Sequence, residues 1–281
     1  MPVFTLLTDF GLDDYYVAAV KGVVLDRLDA AQRAAIQLVD IGHRVPPGDI
    51  ETAAFLLSAA APCFPAGTVH LAVVDPGVGS DRRMLAVARG GMRYVAPDNG
   101  LLTPLLDNAD AVQAVDRPDL SRAAPGATFH GRDRFAPIAA ALLGGTAIGA
   151  LGPAIDDPVR SSNMPPQRGN NVLRGHIRHI DHYGNVVTDL PAAWFDPHPT
   201  ALDVRIDGRP RLPLRFVDHY ALLPRGGDIP GALIGSLGTL ECSLNGESLA
   251  RRWSVRRGAT ITVFLQAPSR PSRLSSSEET P

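Results

Sequence analysis

Over its first half the chain alternates short apolar runs with stretches of helical periodicity, and that rhythm admits few architectures. Val3 to Leu7 reads as a strand, Tyr16 to Leu28 as a helix and Ile36 to Val39 as a second strand. Glu51 to Ala60 then reads as a helix, Val69 to Val74 as a strand, and Met84 to Arg89 with Arg93 to Ala96 as a hairpin turning at Gly90 and Gly91. Phe135 to Leu143 closes the series as a helix. Strands separated by helices are the signature of βαβ units, so an α/β layered domain is expected.

The rhythm then stops. Between Gly152 and Asn171, Pro153, Pro158, Pro165 and Pro166 stand among Asp, Ser and Asn, the composition of an exposed linker. Beyond it, Val172 to Asp181, Ala201 to Ile206, Ala232 to Leu237 and Thr260 to Leu265 are short β-type runs between turn signals, with no long helical pattern. The expected fold class is α/β: an amino-terminal α/β layered domain over residues 1–160, then a small β domain over 171–267, barrel or sandwich by periodicity alone. Residues 268–281, biased toward Ser, Pro and Glu, have too little apolar surface to order themselves and predict a disordered tail.

A chain of 281 residues that is 45% hydrophobic can supply such cores. Its formal net charge of -2 provides no global positive field, so neither nucleic acid nor an anionic membrane is an expected partner. Apolar stretches such as Ala53 to Ala61 and Ala136 to Leu143 fall far short of the roughly 20 residues that span a bilayer. Cys63 and Cys242 have no metal-ligand spacing and suit a reducing compartment. Met1 to Phe10 has no basic region before its apolar run, which Thr8 and Asp9 interrupt; a cytoplasmic location is the expectation.

Four polar clusters fall at strand ends or in glycine-rich turns, where open α/β sheets place ligands. In Thr8-Asp9-Phe10-Gly11, followed by Asp13 and Asp14, Asp9 has the placement to accept hydrogen bonds from ribose hydroxyls. Carboxylates in such a group also suit a metal, while capping of the next helix is expected of Asp13 or Asp14. Asp75-Pro76-Gly77-Val78-Gly79, with Arg82 and Arg83 close behind, forms a tight turn that lets backbone approach a ligand and equally suits a plain turn. Ala96 to Leu102 reads as structural. Thr128 to Phe135 concentrates His130, Arg132, Asp133 and Arg134 before a helix, a density that is costly unless the groups pair or serve a site. The fourth cluster runs from Ile180 to Thr188. There Tyr183 can stack on a base, Asn185 can meet a purine edge, and Asp181 can pair with an ammonium; a hairpin is the competing account.

Taken together, the segments from Thr8, Asp40 (DIGHRVPPGDIETAAFLL), Val73 (VVDPGVGSDRR), Ala96, Thr128 (TFHGRDRFAPIAA), Ile180 (IDHYGNVVT) and Ser236 (SLGTLECSLNGESLA) resemble the S-adenosylmethionine hydroxide adenosyltransferase family. These are the hydrolytic relatives of the S-adenosylmethionine-dependent fluorinase and chlorinase. The likeness runs from Val3 to Leu265. It implies an α/β domain followed by a β-barrel domain, assembled as a homotrimer with each active site between one subunit's first domain and its neighbour's second.

The activity implied is hydrolysis of S-adenosylmethionine to adenosine and methionine, with no cofactor and no metal. The resemblance makes Asp75, Arg82 and His130 the water-handling set, with Arg83 as the rival to Arg82 if the turn shifts by one residue. It assigns Asp9 to the ribose diol, places Asp14 and Tyr16 near the ribose and methionine portions, and makes Phe129 a wall of the pocket. In the second domain it assigns Asp181 to the methionine ammonium, Tyr183 and Asn185 to adenine, and Ser236 to the carboxylate. Val187 and Gly131 depart from the halogenase pattern, in which an aromatic ring and a serine stand at these positions, and argue against halide binding. The alternatives are a halogenase, a non-catalytic sensor of adenosine or S-adenosylmethionine, and a metal-dependent phosphoesterase built on Asp9, Asp75 and His130.

Overall fold

In the computed structural model, which describes residues 1–123, 126–162, 164–227 and 229–265, the chain divides into two compact units, Met1–Asn163 and Met164–Pro281. The tail expected to be disordered, residues 268–281, lies outside the described residues.

The first unit is built on strands β1 (Val3–Thr8), β2 (Gln37–Gly42), β3 (Val69–Val73), β4 (Met84–Arg89), β5 (Met92–Pro97) and β6 (Ala111–Ala114), in the order β2-β1-β3-β5-β4-β6. β1 runs parallel to both β2 and β3, and β5 parallel to β3, while β4 pairs antiparallel with β5 and β6. β4 and β5 form the expected hairpin, with Arg89 paired to Met92 and both Gly90 and Gly91 at positive φ, the backbone a two-residue turn requires.

Side chains alternate between the two faces of this sheet, and each face has its own core. Phe4, Leu6, Leu71 and Val73 pack with Val20, Val23 and Val24 of α1 (Tyr16–Asp26) and with Ile138, Ala139 and Leu142 of helix Ala136–Leu143. Leu7, Ala72, Val74, Leu85 and Val87 pack on the opposite face with Ala53 and Leu57 of helix Ile50–Ala60 and with Leu102 and Leu105. Two short α-helices, Ala30–Ala35 and Thr103–Leu106, join these, so the five α-helices among the described residues of the unit are α1 to α5 in chain order. The weakly patterned α2 is held by its ends: Asp29 and Gln32 form a reciprocal capping box.

One expectation needs correcting here. Neither Asp13 nor Asp14 caps α1, whose first flanking residue is Tyr15 and which has no side-chain cap. The segment read as an exposed linker holds the division between the two units and hydrogen-bonds to the first unit over its first half. Ile155 donates its amide to the Val112 carbonyl, Val159 to Asp98 Oδ1 and Ser161 to Thr103 Oγ1. Pro153 and Pro158 lie in the part tied to the first unit, and Pro165 and Pro166 follow the division between the units.

In the second unit, β8 (Val172–Ile180), β9 (Val186–Pro191), β10 (Ala201–Ile206), β11 (Leu212–Phe216), β12 (Gly231–Ile234), β13 (Thr239–Ser243) and β14 (Thr260–Leu265) close into a barrel through the β14–β8 pairing, with the two-residue β7 (Gln167–Arg168) beside β8. Closure removes free edges and settles barrel over sandwich. Alternate residues, among them Leu173, Ile177, Leu202, Val204, Ile206, Ile261 and Val263, fill the interior. Among the described residues the unit's one α-helix, α6 (Leu249–Trp253), is a short turn capped by Ser248.

Candidate active site

Adjacent parallel strands deliver the first two acidic residues to one place. Thr8 at the end of β1 is the register partner of Val73 at the end of β3, so Asp9 and Asp75 leave the sheet at neighbouring carboxyl ends. That edge is where open α/β sheets bind ligands. Asp9 Oδ2 accepts the Gly48 amide at 2.8 Å.

Asp75 is gripped by Arg82. Nε of the guanidinium donates to Oδ1 at 2.6 Å, and Nη2 pairs with Oδ2 in the second arm of a fork. The same Nη2 reaches His130 Nδ1 at 3.0 Å, and the guanidinium lies over the Phe135 ring, 5.0 Å from its centre. The side chains of Asp75 and Arg82 are 5% and 11% exposed, so the pair is largely withdrawn from water and is held more firmly than a surface pair.

A guanidinium offers only N–H donors and no acceptor, so Arg82 must be the donor to His130 Nδ1. In the neutral ring the remaining proton therefore sits on Nε2. Burial lowers the His130 pKa below the ordinary histidine value, and the charges of Arg134 and Arg82 lower it further, against the opposing pull of Asp75 and Asp133. His130 is thus poised as a neutral imidazole with one defined N–H. It sits at the start of a π-helical turn, Gly131–Phe135, a local widening often found at functional sites.

Arg83 faces elsewhere. It donates to Asp98 Oδ2 at 2.8 Å and to Asp157 Oδ1 at 2.7 Å, so the turn register gives the Asp75 partnership to Arg82. Asp98, 5% exposed, and Asn99, which donates to the Val74 carbonyl, are structural, as expected of that turn.

Beside the set lies an aromatic wall. Phe129 packs edge-on to Phe10 and Tyr16, with ring centres 5.8 and 5.2 Å away, and Tyr15 lies 4.7 Å from Tyr16. Arg132 covers Phe129 while forking onto Asp133. A Cβ at Gly131 would approach the Phe10 ring to 3.1 Å, so Phe10 fills the space a side chain there would take. Phe10 and Tyr15 are functional candidates that no motif reading singles out; the signal is aromatic density beside Asp9. Asp14 is exposed and joins none of these contacts.

In the second unit Asp181, Tyr183 and Asn185 line one cavity of about 320 Å³ together with Tyr220, Ser243 and Asn245. Tyr183 is 76% exposed, an unusual position for a large ring. Asp181 accepts the Asn185 backbone and side-chain amides, each at 2.8 Å, and Asn185 Oδ1 accepts Ser243 Oγ at 2.6 Å. Much of the Asn185 amide is therefore spent inside the protein, leaving one N–H and one lone pair. Gly184 is needed for this turn: its φ is +86°, and a Cβ would collide with Ser248.

Tyr220 donates to Glu241 Oε1 at 2.5 Å. Burial raises the Glu241 pKa, as does the charge of Asp181, against the Tyr220 hydrogen bond. Ser236 is exposed in the turn from β12 to β13 and does not line the cavity. Val187, buried in β9, belongs to the barrel wall. Tyr220 and Ser243 escape a sequence reading because they come from the turn after β11 and from β13, which pairs with β9 though distant from it in the chain. Among the described residues no three His, Cys, Asp or Glu side chains gather closely enough to hold a metal ion.

An α/β sheet with a charged set at its carboxyl edge, followed by a β-barrel with its own cavity, has the layout of an enzyme acting on a small molecule. The chain belongs to the SAM hydroxide adenosyltransferase family: the model of that family's N-terminal domain matches residues 4–152 and that of its C-terminal domain residues 175–262. It is 39% identical over 272 residues to an (R)-S-adenosyl-L-methionine hydrolase of Thermus thermophilus, with 94% of this chain and 99% of the relative covered. A protein of the same name from Salinispora arenicola is 37% identical over 93% of this chain and 97% of its own. A fluorinase of Actinoplanes sp. is more distant, at 29% identity over 93% of this chain and 97% of its own. Among solved structures, an uncharacterized conserved protein from Thermotoga maritima superposes with a TM-score of 0.84 at 28% identity, covering 94% of this chain and all, 100%, of that one.

Proposed function

We propose that this chain hydrolyses S-adenosyl-L-methionine to adenosine and L-methionine by attack of water at C5′. The Asp75–Arg82–His130 contact set carries the reading, in a chain so similar to relatives named as hydrolases. Those names specify the R configuration at sulfur, and the same epimer is the substrate proposed here.

The leaving group is a neutral thioether, so displacement needs an aimed nucleophile and no acid to protonate the departing atom. His130 Nδ1 accepts from Arg82 Nη2 and so fixes the guanidinium that faces the water. Arg82 supplies positive charge that favours hydroxide character, and the Asp75 carboxylate accepts the water's hydrogen bond. The C5′–O bond forms as the C5′–S bond breaks; its electron pair stays on sulfur, and the water's surplus proton leaves to solvent through Asp75.

Asp9 receives the ribose diol, Phe129 walls the pocket, and Asp14 and Tyr16 lie near the ribose and methionine portions. Asp181 pairs with the methionine ammonium, Tyr183 stacks on adenine, Asn185 contacts its edge with the groups its internal bonds leave over, and Ser236 holds the carboxylate. These contacts complete one site when the chain assembles as a homotrimer, each site drawing on two subunits. The working location is the cytoplasm, and no cofactor or metal is required. Among the described residues no helix is long and apolar enough to cross a membrane. The Phe10 ring against Gly131 leaves no side chain there to bind a halide, which disfavours halogenation.

The test is incubation of the pure protein with each sulfonium epimer and identification of products. Adenosine and methionine in equal amounts from the R epimer support the reading. A halogenated nucleoside, or binding of substrate without turnover, rejects it.

A further inference from the structure

Behind Asp9 runs a chain of polar contacts that the proposed chemistry does not use. His43, 3% exposed, presents Nδ1 to Thr8 Oγ1 at 2.9 Å. Thr8 Oγ1 accepts the Phe10 amide at 3.2 Å, and the His43 carbonyl accepts the Gly11 amide at 2.8 Å. On the other side of the ring, Nε2 lies 3.0 Å from Asp40 Oδ1, though off the ideal hydrogen-bond line, and Asp40 Oδ2 pairs with Lys21 at 2.7 Å.

Asp40 Oδ1 faces His43 Nε2, while Asp40 Oδ2 is held by Lys21, so the ring is bracketed by Asp40 on one side and the Thr8 hydroxyl on the other. The Thr8 oxygen that meets Nδ1 also accepts from the Phe10 amide, which links the ring to the Asp9 turn. The outcome is that both amides that follow Asp9 are tied to His43, one through Thr8 and one directly, while Gly48 holds one Asp9 oxygen and leaves Oδ1 open.

We infer that Thr8 and His43 are positioning residues that hold the Asp9 turn so that Oδ1 faces the substrate ribose. They touch no substrate and act through Asp9. The inference rests on the reading of Asp9 as the ribose acceptor, and its test separates the two.

Thr8→Val keeps the shape of the side chain and removes the hydroxyl, leaving the Phe10 amide unpaired; Thr8→Ser keeps the hydroxyl. His43→Leu removes the imidazole. Expected are a rise of roughly five- to thirtyfold in KM, and in the Kd for adenosine by calorimetry, for Thr8→Val and His43→Leu. kcat should stay within about twofold, and Thr8→Ser should remain near the parent. In an Asp9→Ala background the Thr8→Val change should add nothing, because the group it positions is gone. A KM that is unchanged in Thr8→Val, or a loss of the same size with and without Asp9, would overturn the inference. An Asp9→Ala protein with unaltered affinity would instead overturn the ribose assignment, leaving the hydrolysis itself to product analysis. Should His43→Leu fail to fold, the Thr8→Val and Thr8→Ser pair decides alone.

Discussion

Arg82 and Arg83 are neighbours in sequence with opposite assignments, and the difference is geometric. Arg82 forks onto Asp75 and reaches His130, whereas Arg83 ties Asp98 to Asp157. Arg82→Lys keeps a charge but cannot fork, so turnover should fall by roughly a hundredfold or more with the protein still folded. Arg83→Ala should cost thermal stability and leave kcat within about twofold; the reverse pattern in steady-state kinetics and melting would exchange their roles. His130 adds a pH signature. Its folded pKa is lowered, first by burial and then by Arg134 and Arg82, and the neutral ring is the working form. kcat should therefore hold through neutral pH and fall only below the ordinary value of 6.5, as protonation sets an Nδ1–H against the Arg82 donor. A pH–rate profile with its acid limb at or above 6.5 would count against this. At this scale the sequence was informative about identity but not about partnership. Asp75, Arg82 and His130 are legible as motif residues, yet nothing in a one-dimensional order decides which arginine faces Asp75, or that the Asn185 amide is largely occupied by Asp181 and Ser243.

Among the elements, β1 and β3 do most to build the site, since their parallel register brings Asp9 and Asp75 off the sheet at neighbouring carboxyl ends. The same pairing encloses His70, fully buried in β3 and within 2.7 Å of Thr5 Oγ1 on β1. Burial holds the His70 pKa down at about 4. An unfolded histidine titrates near 6.5, so the unfolded chain takes up this proton first. Stability is intact above about pH 6.5 and declines as pH falls toward 4, by on the order of 3 kcal/mol if fully expressed. Calorimetry from pH 7.5 to 4.5 should show the melting temperature falling in this window, with a shallower fall in a Thr5→Val/His70→Leu protein; equal slopes would remove His70 as the cause. Element existence was largely legible, because β1, α1, α3, β3, the hairpin and α5 carry clear periodicity. α2 and β6 were not: α2 buries no residue and depends on its caps, and β6 is a four-residue strand defined by pairing with β4. The prolines after Gly152 signalled the linker in which the two units divide, but not the hydrogen bonds that its first half makes to the first unit.

At the scale of the whole molecule, the residues of the proposed function are divided between the two units, Asp75, Arg82 and His130 in the first and Asp181, Tyr183 and Asn185 in the second. The barrel was only partly legible, since its closure is the pairing of β14 with β8, elements separated by most of the unit. If each site draws on two subunits of a trimer, inactive Arg82→Ala and Asp181→Ala proteins, unfolded together and refolded as a 1:1 mixture, should regain about a quarter of the parent activity. Sedimentation should give a trimer. No recovery in mixed trimers would place both halves of each site in one subunit.

The central claim is that protein groups aim a water at C5′, and isotope transfer tests it most directly. In oxygen-18 water with (R)-S-adenosyl-L-methionine, mass spectrometry should find one labelled oxygen in adenosine, at the 5′ hydroxyl, and none in methionine, with label incorporation slowed in step with turnover in Arg82→Lys. Adenosine without label, or label in methionine, would contradict the account.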